Sequence, residues 1–189
     1  WLTALAAAVV AAVLAGRLPS SFRPGPSVLL ITLDTTRADR LGCYGYRAAQ
    51  TPALDSLAAQ GMRFEQAFSH VPLTLPSHAT ILTGRHPPEH GLHDNGRGRL
   101  PPGIASLPEI FRSRGYRTGA FVASFVLDRQ FGLDRGFDIY SDGMTTGTGN
   151  SQLEQENRGS VVVDRALAWL QEQPARRFFC WVHFFDPHT

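Results

Sequence analysis

The sequence contains no lysine: all 18 basic residues are arginine. That excludes a Schiff base, or any other lysine chemistry, from these 189 residues. Cysteine is nearly as scarce. Cys43 and Cys180 stand far apart and without metal-ligand spacing, which excludes a disulfide framework and a zinc knuckle. Charge is low as well. Charged residues make up 18% of the chain and the net charge is +2, so no nucleic-acid partner is expected. There is no internal repeat. With 43% hydrophobic residues, the composition is not that of a disordered chain, and the length suits one globular domain with a sizeable core.

The stretch from Trp1 to Gly16 is almost wholly apolar and rich in Ala, Val and Leu. Sixteen residues fall short of the about 20 that a spanning helix needs. Three readings stay open: the end of a transmembrane anchor, the apolar core of a signal peptide, and a buried soluble helix. No clear small-x-small cleavage site follows the apolar run before Arg17, which favours the anchor. Residues 17–26 read as a Pro/Ser-rich linker. An anchor or a signal places the remainder outside the cytosol, secreted or membrane-attached, in a bacterial periplasm or at a cell surface. The chain opens on Trp1 and stops at Thr189, directly after an apolar run. The expectation is a portion of a longer protein, incomplete at its C-terminus.

Beyond the linker, strand and helix signals alternate. Ser27–Leu33 (SVLLITL) and Phe178–Phe185 (FFCWVHFF) are continuous apolar runs of the kind buried on both faces of a parallel sheet. Met62–Phe68 alternates as a short strand, and Thr118–Ala123 is strand-like. Helices are predicted over Pro52–Gln60, from Ser77 to Thr83, over Leu107–Arg114 and over Ser160–Gln173. Asp142–Gly159, rich in Gly, Thr, Asn and Ser, reads as an exposed loop. The alternation predicts an α/β fold with a mostly parallel sheet flanked by helices.

Three segments carry candidate chemistry. Asp34 follows SVLLITL directly, at the carboxyl end of a strand, where open α/β sheets gather reactive groups. It is either a metal ligand or a cap, since Asp-Thr-Thr also suits a turn. Thr74 opens Thr74-Leu75-Pro76-Ser77-His78 before a helix start. Backbone N–H groups at such a start bind anions, and a hydroxyl there is a candidate nucleophile if a metal or base lowers its pKa. Its plain alternative is again a cap, for Thr74 or Ser77. The third segment ends the second apolar run: His183 is a candidate core histidine, while Asp186, Pro187 and His188 lie past the strand. His86, His90, His93 and Asp94 have no diagnostic metal spacing.

Together these segments resemble the sulfatase-like branch of the alkaline phosphatase superfamily. The blocks VLLITLDTTRADRLGCYGY, TPALDSLAAQGMRFEQAFSHVPLTLPSHATILTGRHPPEHGL, GYRTGAFVASFVLDRQFGLDRGFDIY and FFCWVHFFDPHT follow the order of that family and cover residues 27–189. The resemblance implies an alkaline-phosphatase-like fold, with 27–189 as the N-terminal part of a catalytic domain. It implies Asp34 and Thr74 as metal-side residues and Thr74, His78 and His188 as catalytic residues. It also implies a divalent metal (Zn, Ca or Mn) and a small-molecule, glycan or lipid ester as substrate. Independently of the resemblance, the apolar segment 1–16 is expected to make the contact with a membrane.

The departures from the family are chemical. Sulfatases carry Cys or Ser, then x-Pro-Ser-Arg, and convert the first residue to formylglycine. Threonine cannot be so converted, and His78 stands at the Arg position. Thr35 replaces a second aspartate, and Ala123-Ser124-Phe125 replaces a Lys-x-His block. A threonine nucleophile suits attack on phosphate esters, with hydrolysis or transfer to another alcohol. His78 is expected to help stabilise the transferred oxygens and His188 to contact the anion or the leaving oxygen. The alternative is a membrane-anchored relative that keeps the fold without catalysis.

Overall fold

A computed structural model describes residues 25–144 and 155–188. The apolar segment 1–16, and most of the linker behind it, lie outside the described residues. No described helix is long and apolar enough to cross a membrane.

The two apolar runs form the strands β1 (Val28–Leu33) and β4 (Phe178–Phe184), which pair in parallel from Val28–Phe179 to Leu33–Phe184. β2 (Arg117–Phe121) pairs with the other edge of β4, and β3 (Ile139–Ser141) pairs with β2. The order is β1-β4-β2-β3, all parallel. Parallel neighbours need crossovers, and helices supply most of them: α1 (Pro52–Gln60), α2 (Thr74–Thr83), α3 (Pro87–His90), α4 (Leu107–Ser113) and α5 (Gly159–Glu172).

β4 separates two cores. Phe179 and Trp181 face a cluster with Leu75, Ala79 and Leu82 of α2. Cys180 and Val182 face Val162, Ala166 and Trp169 of α5. Each buried Val, Leu or Phe side chain here contributes roughly 1.5–3 kcal/mol. The strict alternation puts His183 on the α2 side, one step beyond Trp181. Burial pushes the Cys180 thiol up to about 12, and both cysteines are unpaired. α5 packs close to β2 because Gly119 leaves room: a Cβ there would stand 3.0 Å from the Trp169 ring. Arg117 caps the same ring, its guanidinium carbon 4.3 Å from the centroid.

Several expectations shift. Met62–Phe68 is not a strand. Its alternating apolar residues Met62, Phe64 and Phe68 have no sheet neighbour and stand exposed. α2 begins at Thr74, three residues earlier than expected. Pro76 is tolerated there because first-turn N–H groups need no helical acceptor. Asp142 and Asn157 are buried, so the expected loop is anchored at both ends. β3 had no separate signal because it is only three residues long.

The first amide of α5 is met from a distant part of the chain: Gly159 N–H donates to Asp186 Oδ1 at 3.0 Å. A Cβ on Gly159 would fall 2.6 Å from Asp186 Oδ2. Asp186→Ala is therefore expected to lower stability by about 1 kcal/mol, the usual value of a lost cap. Gly159→Ala should lower it comparably by expelling the same carboxylate, and the double variant should be less than additive. Urea titration of the three variants reads this out; additive losses would show that the two residues act separately.

Candidate active site

β1 ends at Leu33, and the Asp34 N–H continues the ladder by donating to Phe184 O at 2.9 Å. That bond fixes the Asp34 backbone against the end of β4. The Asp34 side chain is buried. Thr74, the first residue of α2, donates its hydroxyl to Asp34 Oδ2 at 3.1 Å. His183 Nε2 lies 3.3 Å from the same oxygen. Two sequence-predicted residues, Asp34 and Thr74, are thus in direct contact. His183, read from sequence as a candidate core histidine, touches them. Burial pushes the Asp34 carboxyl up, but the hydrogen bonds from His183 and Thr74 help to outweigh it and hold the group below the usual carboxylate range.

The start of α2 leaves N–H groups without helical acceptors. Leu75 N–H is met by Asn95 Oδ1 at 2.9 Å. The Thr74 N–H has no acceptor among the described residues. The helix is held by a buried relay. Leu92 N–H donates to His90 Nδ1, leaving the His90 Nε2 proton for Thr80 Oγ1, which donates to Pro76 O at 3.0 Å. His90 is therefore a structural pin. His86 closes the N-terminus of α3, and His93 and Asp94 are exposed.

Around the Thr74 hydroxyl opens a cleft of about 590 Å³. Its walls include Asp34, Thr35, Ser77, His78, Asn95 and His188. Asn95 escaped the sequence reading. Its only signal was a polar residue in a Gly-rich turn, and the contact with Leu75 crosses 20 residues. His188 lines the cleft stacked on Phe185, centroids 4.4 Å apart, without a hydrogen bond to Thr74 or Asp34. The strand end and the His188 loop are tied together where the Thr35 hydroxyl donates to Pro187 O at 3.2 Å. Thr35 adopts φ 52°, a left-handed conformation costly for a β-branched residue.

His78 takes a different part from the one expected of it. Its Nδ1 lies 2.8 Å from Thr74 O, an atom that only accepts, so the proton sits on Nδ1. Nε2 is left as a buried lone pair with no partner. Burial lowers the imidazole pKa to about 4, so the ring is neutral near pH 7. His78 offers no cation to a transferred oxygen. It steadies the first turn of α2 instead, edge-on to His183 with centroids 5.0 Å apart.

The geometry defines a class: a parallel α/β fold carrying a hydroxyl at a helix N-terminus against a strand-end carboxylate. The family follows from comparison. The sequence model of the Sulfatase family matches residues 26–189, and the chain belongs to that family. Steryl-sulfatase of Rattus norvegicus is 39% identical over 106 residues, 51% of this chain and 18% of that protein. A putative sulfatase from Bacteroides thetaiotaomicron superposes with TM-score 0.69 at 26% identity, covering 86% of this chain and 36% of the other. A phosphonate monoester hydrolase of Agrobacterium radiobacter shares the fold with TM-score 0.69 at 22% identity, covering 87% and 42%. The chain spans under a fifth of the rat protein's length and roughly a third to two fifths of the two solved chains.

The buried neutral His78 makes stability depend on pH. Its folded pKa, about 4, lies below the ordinary 6.5, so the unfolded chain takes up the extra proton between those values. The contribution is intact above about pH 6.5 and is lost as pH falls toward 4. The full loss is on the order of 3 kcal/mol. Chemical denaturation across this range should show the decline, and His78→Gln should remove most of it. An unchanged slope in that variant would mean that other groups set it.

Proposed function

We propose that this chain carries the nucleophile side of a metal-dependent hydrolase, or transferase, that cleaves phosphate or sulfate esters through a covalent Thr74 intermediate. One observation carries the reading: the Thr74 hydroxyl sits at a helix N-terminus, donating to the buried Asp34 carboxylate at 3.1 Å. Family membership supports ester hydrolysis. Threonine in place of a formylglycine precursor favours phosphate esters, because a threonine ester has no aldehyde-forming route to expel sulfate.

The donor chemistry fits part of a metal site. Asp34 Oδ2 is committed to Thr74 and His183, while Oδ1 has no partner among the described residues. No group of three or more His, Cys, Asp or Glu residues able to hold a metal occurs among the described residues. Asp34 and Thr74 would therefore hold the ion together with ligands from elsewhere in the protein. When bound, a divalent cation (Zn, Ca or Mn) supplies Lewis acidity that brings the hydroxyl pKa within reach of neutral pH.

The residues of the chain do the rest. Asp34 Oδ2 holds the Thr74 hydroxyl hydrogen and thereby orients Oγ1. Oγ1 passes that proton to Asp34 Oδ2 as it attacks the phosphorus or sulfur in line with the leaving oxygen, one bond forming as the ester bond breaks. The free Thr74 N–H, the Asn95 amide NH₂ and the α2 N-terminus stabilise the equatorial oxygens. His188 gives the leaving oxygen its proton. Water, or another alcohol, then attacks the same phosphorus or sulfur and gives its proton to His188, while the bond to Oγ1 breaks and Oγ1 takes its proton back from Asp34. The apolar segment 1–16 serves as anchor or signal on this reading, with the catalytic part outside the cytosol. A binding role without catalysis has one observation in its favour: among the described residues, no Arg side chain lines the cleft.

The test compares wild type with Thr74→Ala on aryl phosphate mono- and diesters and an aryl sulfate, using the full-length protein and added metal. The expected loss is roughly a thousandfold or more, the scale of a removed nucleophile. Near-wild-type turnover in the variant would shift attack to Ser77 or to water. Sulfate turnover well above phosphate turnover would overturn the substrate preference. Inertness of the wild type toward all three would favour the binding role.

A further inference from the structure

We infer that His183 is a positioning residue for Asp34: its Nε2–H fixes one carboxylate oxygen so that the other faces the metal. The inference rests on Asp34 being a metal ligand. His183 is fully buried, on the β4 face that carries Phe179 and Trp181. Its ring is gripped from two strands. The Ala123 N–H, just past β2, approaches Nδ1 at 3.4 Å. A backbone N–H only donates, so Nδ1 must present its lone pair and the ring proton must be on Nε2. That proton points at Asp34 Oδ2, 3.3 Å away.

The second donor to Oδ2 comes from the opposite side of the cleft, from Thr74 on α2. One oxygen thus takes two hydrogen bonds from two different elements. The carboxylate cannot rotate without breaking both. Oδ1 is left without a partner among the described residues, available to a cation. The imidazole is also held in its plane, edge-on to His78 and 6.4 Å from the Trp181 ring centre. A histidine serving only to fill the core would not need one nitrogen aimed at the carboxylate. Groups that orient a ligating carboxylate commonly contribute 10–100-fold to metal affinity.

The experiment uses the reach of two amides. His183→Gln carries an N–H out to about the position of Nε2, whereas His183→Asn stops near Nδ1. Both variants of the full-length protein are titrated with Mn²⁺ by calorimetry and melted without metal. Affinity in His183→Gln is expected within about threefold of wild type, and in His183→Asn roughly 10–100-fold weaker, at similar melting temperatures. Equal losses of affinity in both, tracking equal losses of melting temperature, would overturn the inference in favour of a packing role. Wild-type affinity in His183→Asn would overturn it too. Asp34→Asn separates the two layers. Lost binding there beside intact binding in His183→Asn sinks this inference alone, whereas undiminished binding in Asp34→Asn sinks the metal reading beneath it.

Discussion

The carboxylate of Asp34 stands where three elements meet, and its hydrogen bonds define the site. β1 delivers it, β4 touches it through His183, and α2 touches it through Thr74. None of these bonds is local: 40 residues separate Asp34 from Thr74 and 149 separate it from His183. The site therefore exists only when β1 and β4 pair in register. A slip of one residue would turn His183 to the α5 side and leave Asp34 buried with one donor fewer. Sheet register and site chemistry are a single constraint.

The strands that build the site were legible because parallel strands buried on both faces carry uninterrupted apolar runs, as in SVLLITL and FFCWVHFF. Asp34 and Thr74 were legible as members of a motif, by what bounds them: a strand end and a Pro-bearing helix start. What could not be read depends on pairing. The partner of His183 is set by register, and Asn95 meets Leu75 through a loop whose path no local pattern specifies. Met62–Phe68 misled for the converse reason. Alternation is a strand signal only where a neighbouring strand supplies the ladder, and Phe64 and Phe68 have none. The part of His78 was hidden because a histidine letter does not reveal its tautomer; the carbonyl of Thr74 decides it.

Among the described residues, the cleft is not an anion site built on arginine side chains. Its walls around Thr74 offer, among those residues, a carboxylate, hydroxyls, an amide, neutral His78, His188 and the N-terminal dipole of α2, and no guanidinium. Fixed dipoles in a partly buried cleft need not reorganise as charge develops, which suits them to a transition state. They do not neutralise a dianion, so on the proposed reading the binding of an anionic ester depends on charge brought by other groups.

Thr35 links backbone strain to this arrangement. A β-branched residue at φ 52° holds its segment in a conformation glycine or asparagine would take at less cost, and its hydroxyl ties the His188 loop to the end of β1. Sequence drift toward greater thermal robustness would favour replacing it, yet glycine would cut the tether in the same step. The position therefore sets robustness of the chain against the placement of His188, and selection for one is felt by the other.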